Sequence, residues 1–308
     1  MPKQWQMLVP SELGAAPRWE DAATWGAGAN LGLMWQRYLP CHTAGEDKAP
    51  VLTDFVEIAQ KAQTQQRELI ERVLGRRLSV LERAGGRVFH LGVRWRMITG
   101  LALASSFENG GIAIDWTYGF PVIPAATLKG VLSQYLIEEF EGYDGPAQRR
   151  ALVAELGELG SPSLETVLES GETVTDLRRR ICGGDDPKRY EGACLFLDAW
   201  PEPDRGWLEV DVLTPHHLEY YGGSGWPLDS DDPDPHHFLV VARDVRFQVG
   251  LAMTETGRRR ERGDAILDLA RELLVRACSA FGVGAKTGSG YGGLRRTDAS
   301  PRRGEVRG

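Results

Sequence analysis

Apolar side chains alternate with polar ones in two stretches of this chain and recur every three or four residues in three others. Phe89, Leu91, Val93, Trp95 and Met97 alternate with His90, Gly92, Arg94 and Arg96. Period two predicts a strand over 89–97, with the apolar set on one face of a sheet and the basic set on the other. Val245, Phe247, Val249, Leu251 and Met253 predict a second such strand within 243–253. Ile70, Val73, Leu74, Leu78 and Leu81 keep helical spacing within 53–84. Thr53 or Asp54 can cap that helix, Gly85 and Gly86 can end it, and it is polar enough to lie on a surface. Leu128, Val131, Leu132, Tyr135, Leu136 and Phe140 predict a helix over 126–140. The clearest helix is 264–281: Asp264 caps it, Ile266, Leu269, Ala270, Leu273, Leu274, Ala277, Cys278 and Phe281 form one stripe, and Gly282 stops it.

The remaining pattern is weaker. Residues 193–199 (ACLFLDA) and 207–213 (WLEVDVL) read as strands, and a last short strand falls near 291–296. Residues 1–50 read as an irregular arm, 142–190 as an insertion with a short helix near 147–156, and 214–237 as a loop rich in Gly, Pro and acids. The core order is strand, helix, strand, strand, helix, strand. That predicts an α+β, ferredoxin-like (RRM-like) core: an antiparallel sheet with two helices on one face and the other face open. The expected organisation is an N-terminal arm and helix over 1–86, a core domain over 87–296 with insertions at 142–190 and 200–240, and a disordered basic tail over 297–308.

Composition narrows the class. The 308 residues are 42% hydrophobic and 26% charged, enough for a sizeable core. They exclude a collagen, a coiled coil and a peptide-sized binder. Mean hydropathy is -0.30, and no window approaches the ~18 consecutive apolar residues of a membrane span. The opening MPKQWQMLVPSELG has no apolar stretch of the secretory kind. The cysteines at 41, 182, 194 and 278 form no C-x-x-C pair, which fits a reducing cytoplasm.

The formal charge of -7 argues against nucleic acid only until its distribution is read. Residues 67–96 hold eight basic and three acidic side chains, a net of +5. Residues 286–308 carry a net of +4, and residues 201–234 a net of -8. An acidic insert masks basic regions elsewhere, unless the pattern is ordinary surface variation.

Two motifs suggest phosphate. FGVGAKTGSGYGG (281–293) places Gly282, Gly284, Gly288, Gly290, Gly292 and Gly293 where amides can approach a ligand closely. Lys286, Thr287 and Ser289 add a charge and hydroxyls, and the Tyr291 ring could stack on a base. The helix precedes these glycines, so the stretch is neither a P-loop nor a dinucleotide fingerprint; the competing reading is a flexible hairpin. IPAATLKGVL (123–132) puts Lys129 and Thr127 at a helix start, where the macrodipole disfavours a cation unless an anion binds there. An exposed, tolerated lysine explains it equally well.

These two motifs resemble the RAMP superfamily of CRISPR-associated RNA-binding proteins. FENGGIAIDWTYGFPVIPAATLKG (107–130), CLFLDAWP (194–201), DVLTPHHLEYYGG (211–223) and PDPHHFLVV (233–241) resemble the sixth-subunit family of type III-B (Cmr) effector complexes. The resemblance covers roughly residues 88–296. Ala125-Ala126-Thr127 stands where Gly-Ser-Ser is common, and the insert at 223–234 is more acidic than the family suggests. The resemblance implies a non-catalytic backbone subunit that binds guide RNA near its 3′ end and serves RNA-guided antiviral defence. Its implied partners are the guide RNA, target RNA, the repeated backbone subunit and the other end-capping RAMP subunit, with no membrane, metal or cofactor. The RNA-binding residues it implies are Arg94, Arg96, Thr127, Lys129, Gly282, Gly284, Lys286, Thr287, Gly288, Ser289, Gly290 and Tyr291.

The alternative is an RNA endonuclease of the same superfamily. Asp115 lies in the loop where the repeated backbone subunits carry a metal-dependent cleaving aspartate; a lone aspartate is more often a turn residue. Guide-precursor processing would instead want a histidine base, and His90 is the candidate outside the histidine pairs. His216, His217, His236 and His237 lack nearby cysteines for zinc, and TPHHLEYY reads as a structural loop whose Tyr220 and Tyr221 could anchor an interface. Asp229, Asp231, Asp232 and Asp234 lack an EF-hand pattern, and Cys41-His42 is isolated.

Overall fold

The β-branched and aromatic run at 87–93 does form a strand, and the sheet grows from it. The structure is a computed structural model that describes residues 30–39, 49–103, 111–140, 145–158, 172–184, 190–214, 223, 226, 235–261 and 264–297. After a short helical segment at Leu31–Tyr38, the elements are α1 (Ala49–Gln65), α2 (Arg67–Arg83), β1 (Arg87–Val93), α3 (Ala125–Glu138), α4 (Gly145–Glu158), α5 (Val174–Cys182), β2 (Gly183–Gly184), β3 (Tyr190–Glu191), β4 (Cys194–Pro201), β5 (Leu208–Leu213), β6 (His236–Val241), β7 (Arg246–Met253), α6 (Glu255–Arg260), α7 (Ala265–Ala280) and β8 (Leu294–Thr297).

Four strands form the central sheet in the order β4-β7-β1-β8, with every neighbouring pair antiparallel. Taking these as core strands one to four, the order is 4-1-3-2 and the crossovers are α3 and α7, which is the ferredoxin-like arrangement. Phe89 faces Val249 and Leu91 faces Phe247 across the β1–β7 pair. These side chains are at most 5% exposed and pack with Leu128, Leu132, Leu273 and Leu274 of the two crossover helices.

The opposite face differs from the expected open surface. Helix α2 lies across it, close enough that a Cβ on Gly250 would come within 2.7 Å of Leu81 Cδ1. Arg77 of α2 reaches down to the sheet: its guanidinium lies 4.5 Å over the Trp200 ring and donates to the Asp198 carbonyl. Burial pushes Arg77 down to about 10, against the opposing pull of Asp198. Leu81 is 4% exposed, so the cover is apolar as well as ionic. Glycines inside strands often mark such a close approach.

Other expectations need correction. The 53–84 helix is two helices, broken at Gln66. The first begins at Ala49, so Thr53 is no cap; its hydroxyl donates to the Ala49 carbonyl one turn back. Helix α1 is not a surface helix. Its Val51, Leu52, Phe55, Ile58, Ala59 and Ala62 are buried, with Phe55 5.2 Å from the Trp35 ring. Strand β5 stands outside the central sheet and pairs with β6 in a separate hairpin. Asp264 occupies the N-cap position of α7 without a side-chain cap bond; its carboxylate pairs with Arg87 at 2.9 Å. Asp268 joins the same guanidinium at 2.8 Å, which holds its carboxyl below the usual range. The arm residues before 30, the residues after 297, Cys41-His42, His216, His217, Tyr220, Tyr221 and the four aspartates at 229–234 lie outside the described residues.

Candidate nucleic-acid interface

The predicted strand 89–97 ends early, and the reason shapes the candidate site. Val93 is the last residue of β1. The chain then bends away from the four-stranded sheet, and Met97 pairs with Val241 of the β5–β6 hairpin through bonds of 3.1 and 2.8 Å. Within the bend, Arg94 N–H donates to the Gly293 carbonyl and Gly292 N–H to the Arg96 carbonyl. Once the regular pairing of β1 ends, period two no longer fixes which way a side chain turns. Trp95, expected in the core, is 43% exposed.

The glycine turn packs on this bend. Its residues 282–293 link α7 to β8, and Ala285 N–H donates to the Ile98 carbonyl at 2.8 Å. The glycines split into two groups. Gly284 (φ +92) and Gly292 (φ +75) face protein: a Cβ would lie 2.0 Å from the Ile98 oxygen and 2.1 Å from the Val283 oxygen. They exist for packing. Gly288 and Gly290 are exposed with nothing near a Cβ, so with the exposed Ser289 and Lys286 they leave an open surface to a ligand; Gly284 is exposed as well, but its Cβ position is blocked by Ile98. Lys286 sits between the groups at φ 58, a left-handed conformation that costs a non-glycine residue about 1 kcal/mol. Thr287 is half-buried and Gly282 buried.

Tyr291 is placed differently from the expectation. It is 6% exposed, and its hydroxyl donates to Asp211 Oδ2 at 2.7 Å. Burial and that bond push the phenol up to about 12, so it stays a neutral donor. Its ring meets Trp95 at 4.9 Å. Arg96 is also spent inside the protein, on Asp211 at 3.0 Å and Glu209 at 3.4 Å. Arg295 pairs with Asp244 and Arg296 with Glu272. By contrast, Arg94 and Lys286 are exposed and make no ion pair with any described residue. Sequence reading passed over Trp95 and Asp211. The strand read over 207–213 contains Asp211, but no local signal links it to Tyr291 80 residues on, and none marks where β1 leaves its sheet.

The second motif lies elsewhere. The Ala125 N–H at the start of α3 donates to Asp198 Oδ1 at 2.7 Å. A protein carboxylate therefore occupies the place expected for a bound anion. Lys129 falls in the second turn of α3 and lines a cleft of about 750 Å3 with Ser133, Arg178, Cys182 and Cys194. No residue of the glycine turn lines that cleft. Thr127 is half-buried. Burial pushes the two thiols up, Cys182 to about 11 and Cys194 to about 12, so neither is a thiolate at neutral pH.

The two candidate nuclease residues are tied into structure. Asp115 Oδ1 accepts the N–H groups of Thr117 and Tyr118 at 2.9 and 2.8 Å, the geometry of a turn-capping aspartate. His90 Nε2 lies 3.2 Å from Glu202 Oε1, and Glu202 also holds Arg246 at 3.1 Å. Among the described residues, no group of three or more His, Cys, Asp or Glu is placed to hold a metal ion.

A model of the RAMP superfamily matches residues 53–295. The chain belongs to the RAMP superfamily. It is 30% identical over 230 residues to the CRISPR system Cmr subunit Cmr6 of Pyrococcus furiosus, covering 65% of this chain and 64% of that one. It thus spans less than two thirds of the length of the curated relative it matches. The cryo-EM structure of a type III-B Cmr-beta complex bound to cognate target RNA contains a chain of the same fold, with TM-score 0.52 and 17% identity over 83% of this chain and 77% of that one. A crystal structure of Cmr6 from P. furiosus aligns at TM-score 0.41 and 23% identity over 69% of this chain and 98% of that one. No described helix is long and apolar enough to cross a membrane.

Proposed function

We propose that this RAMP protein is a non-catalytic backbone subunit of a type III-B Cmr effector ribonucleoprotein in the cytoplasm. In this reading it holds guide RNA near its 3′ end, beside the repeated backbone subunit and the other end-capping RAMP subunit, and the guide pairs with target RNA. The observation that carries the reading is the 30% identity to Cmr6 over 230 residues. The glycine turn supports it physically. Two cations that pair with no acid among the described residues, Arg94 and Lys286, flank open backbone at Gly288 and Gly290. Such a surface grips phosphates without reading sequence.

A nuclease reading fits these residues less well. A carboxylate that accepts two main-chain hydrogens has fewer lone pairs for a metal, and a histidine held by a buried glutamate is a poor mobile base. The test is a reconstituted complex carrying Asp115→Asn, which keeps an acceptor for the turn. Target cleavage is expected to continue at every site. Loss of one specific cut with assembly intact would replace the backbone reading with a catalytic one.

A further inference from the structure

We propose that Trp95 is a stacking platform for one unpaired base of the bound RNA, next to the phosphate-gripping glycine turn; this rests on the RNA-binding reading above. Large aromatic side chains are normally buried, yet Trp95 is 43% exposed at the bend where β1 leaves its sheet. It is nonetheless held in place. The Tyr291 ring supports it at 4.9 Å and the Arg96 guanidinium lies 5.3 Å over it. Both supports are fixed from behind by one carboxylate, because Asp211 takes the Tyr291 hydroxyl at 2.7 Å and Arg96 at 3.0 Å. A ring whose rotamer is already fixed loses little entropy when a ligand settles on its open surface.

The surroundings favour RNA over a protein partner. Protein interfaces deplete unpaired charge from their centres. Here the neighbours are two cations with no acidic partner among the described residues: Arg94, whose Cδ lies 3.5 Å from where a Gly293 Cβ would be, and Lys286, two residues from the exposed Gly288. Cations beside an exposed indole suit a strand whose phosphates and bases alternate. The division of labour follows: Arg94 and Lys286 take phosphate charge, and Trp95 takes a base face without choosing which base. Tyr291 acts by holding Trp95, not by touching RNA.

The experiment uses the full chain, its Trp95→Ala, Trp95→Phe and Lys286→Ala variants, a single-stranded RNA and an abasic ribose-phosphate polymer of equal length. Trp95→Ala is expected to weaken RNA binding about 10-fold, the typical value of one lost base stack. Trp95→Phe should stay within about 3-fold of the parent, because a smaller ring still stacks. Neither change should affect the abasic polymer, whereas Lys286→Ala should weaken both ligands. The proposal is overturned if Trp95→Ala binds RNA like the parent, or if it loses both ligands equally. It is also overturned if that variant keeps RNA and fails to join neighbouring subunits, since Trp95 is then a protein contact. If the parent binds neither polymer, the guide-binding reading itself falls and takes Trp95 with it.

Discussion

The two sides of β1 carry cations that look alike in the sequence and behave oppositely in the structure. On the sheet face under α2, His90 and Arg246 share Glu202, Arg246 also reaches Asp204, and Arg77 is pressed between Trp200 and the Asp198 carbonyl. Arg246 is answered by two carboxylates and Arg77 is held by a carbonyl and a ring, so neither guanidinium is left to the solvent. At the end of the same strand, Arg94 and Lys286 stand exposed beside open glycines and answer to no described acid. Only a cation that is not already neutralised can exchange its counterions for a phosphate. Net charge per segment therefore says little about where RNA would bind; pairing decides it.

The comparison can be broken by exchanging the roles. Glu202→Ala removes the shared acid under α2, and its side chain is only 9% exposed. Leaving Arg246 and His90 without that partner should cost about 3 kcal/mol of folding stability, read by thermal or denaturant unfolding. RNA affinity of the folded protein should be unchanged. A variant that folds as stably as the parent would mean that the network is not holding the face together.

Smaller effects sharpen the contrast at the tip. Lys286→Ala should weaken RNA binding by about 1–2 kcal/mol, the loss of one charge-assisted hydrogen bond, with little change in melting temperature. Arg295→Ala, whose guanidinium already belongs to Asp244 at 2.8 Å, should change RNA affinity by less than about 0.5 kcal/mol. Equal losses from both would show that pairing does not discriminate among these cations. Lys286→Gly separates charge from backbone. Glycine adopts φ 58 freely, so stability should hold or rise by up to about 1 kcal/mol while RNA affinity falls as in Lys286→Ala.

Much of the frame was legible before the structure. The stripe of α7 survives almost residue for residue, because that helix is buried along one continuous face; β7 is a strand as its alternation predicts, but Phe247 to Ala252 are buried on both of its faces. What failed had a common cause. Period two in 89–97 cannot show that the chain changes sheets after Val93, so it puts Trp95 on the apolar face, and the glycine-rich motif alone cannot show that Tyr291 packs beneath that ring; the structure exposes Trp95 and buries Tyr291. Periodicity also cannot say which helix covers a sheet's second face. Gly250, a glycine inside a strand, is the available signal for a close approach there. At the α3 start the helix dipole argument was sound, but the anion came from Asp198, 73 residues along the chain. Long-range partners of this kind leave no local trace.

The salt dependence of guide-RNA binding by the parent and by an Arg94→Ala, Lys286→Ala double variant tests the phosphate grip of the glycine turn most directly. For single-stranded RNA, each phosphate contact contributes about -0.7 to the slope of log affinity against log salt concentration. If these two cations grip phosphates, the parent's affinity falls steeply with salt and the double variant's slope is shallower by about 1.4. A parent that binds equally at low and high salt, or a double variant with the parent's slope, would contradict the claim that the tip of the glycine turn is where this protein holds RNA.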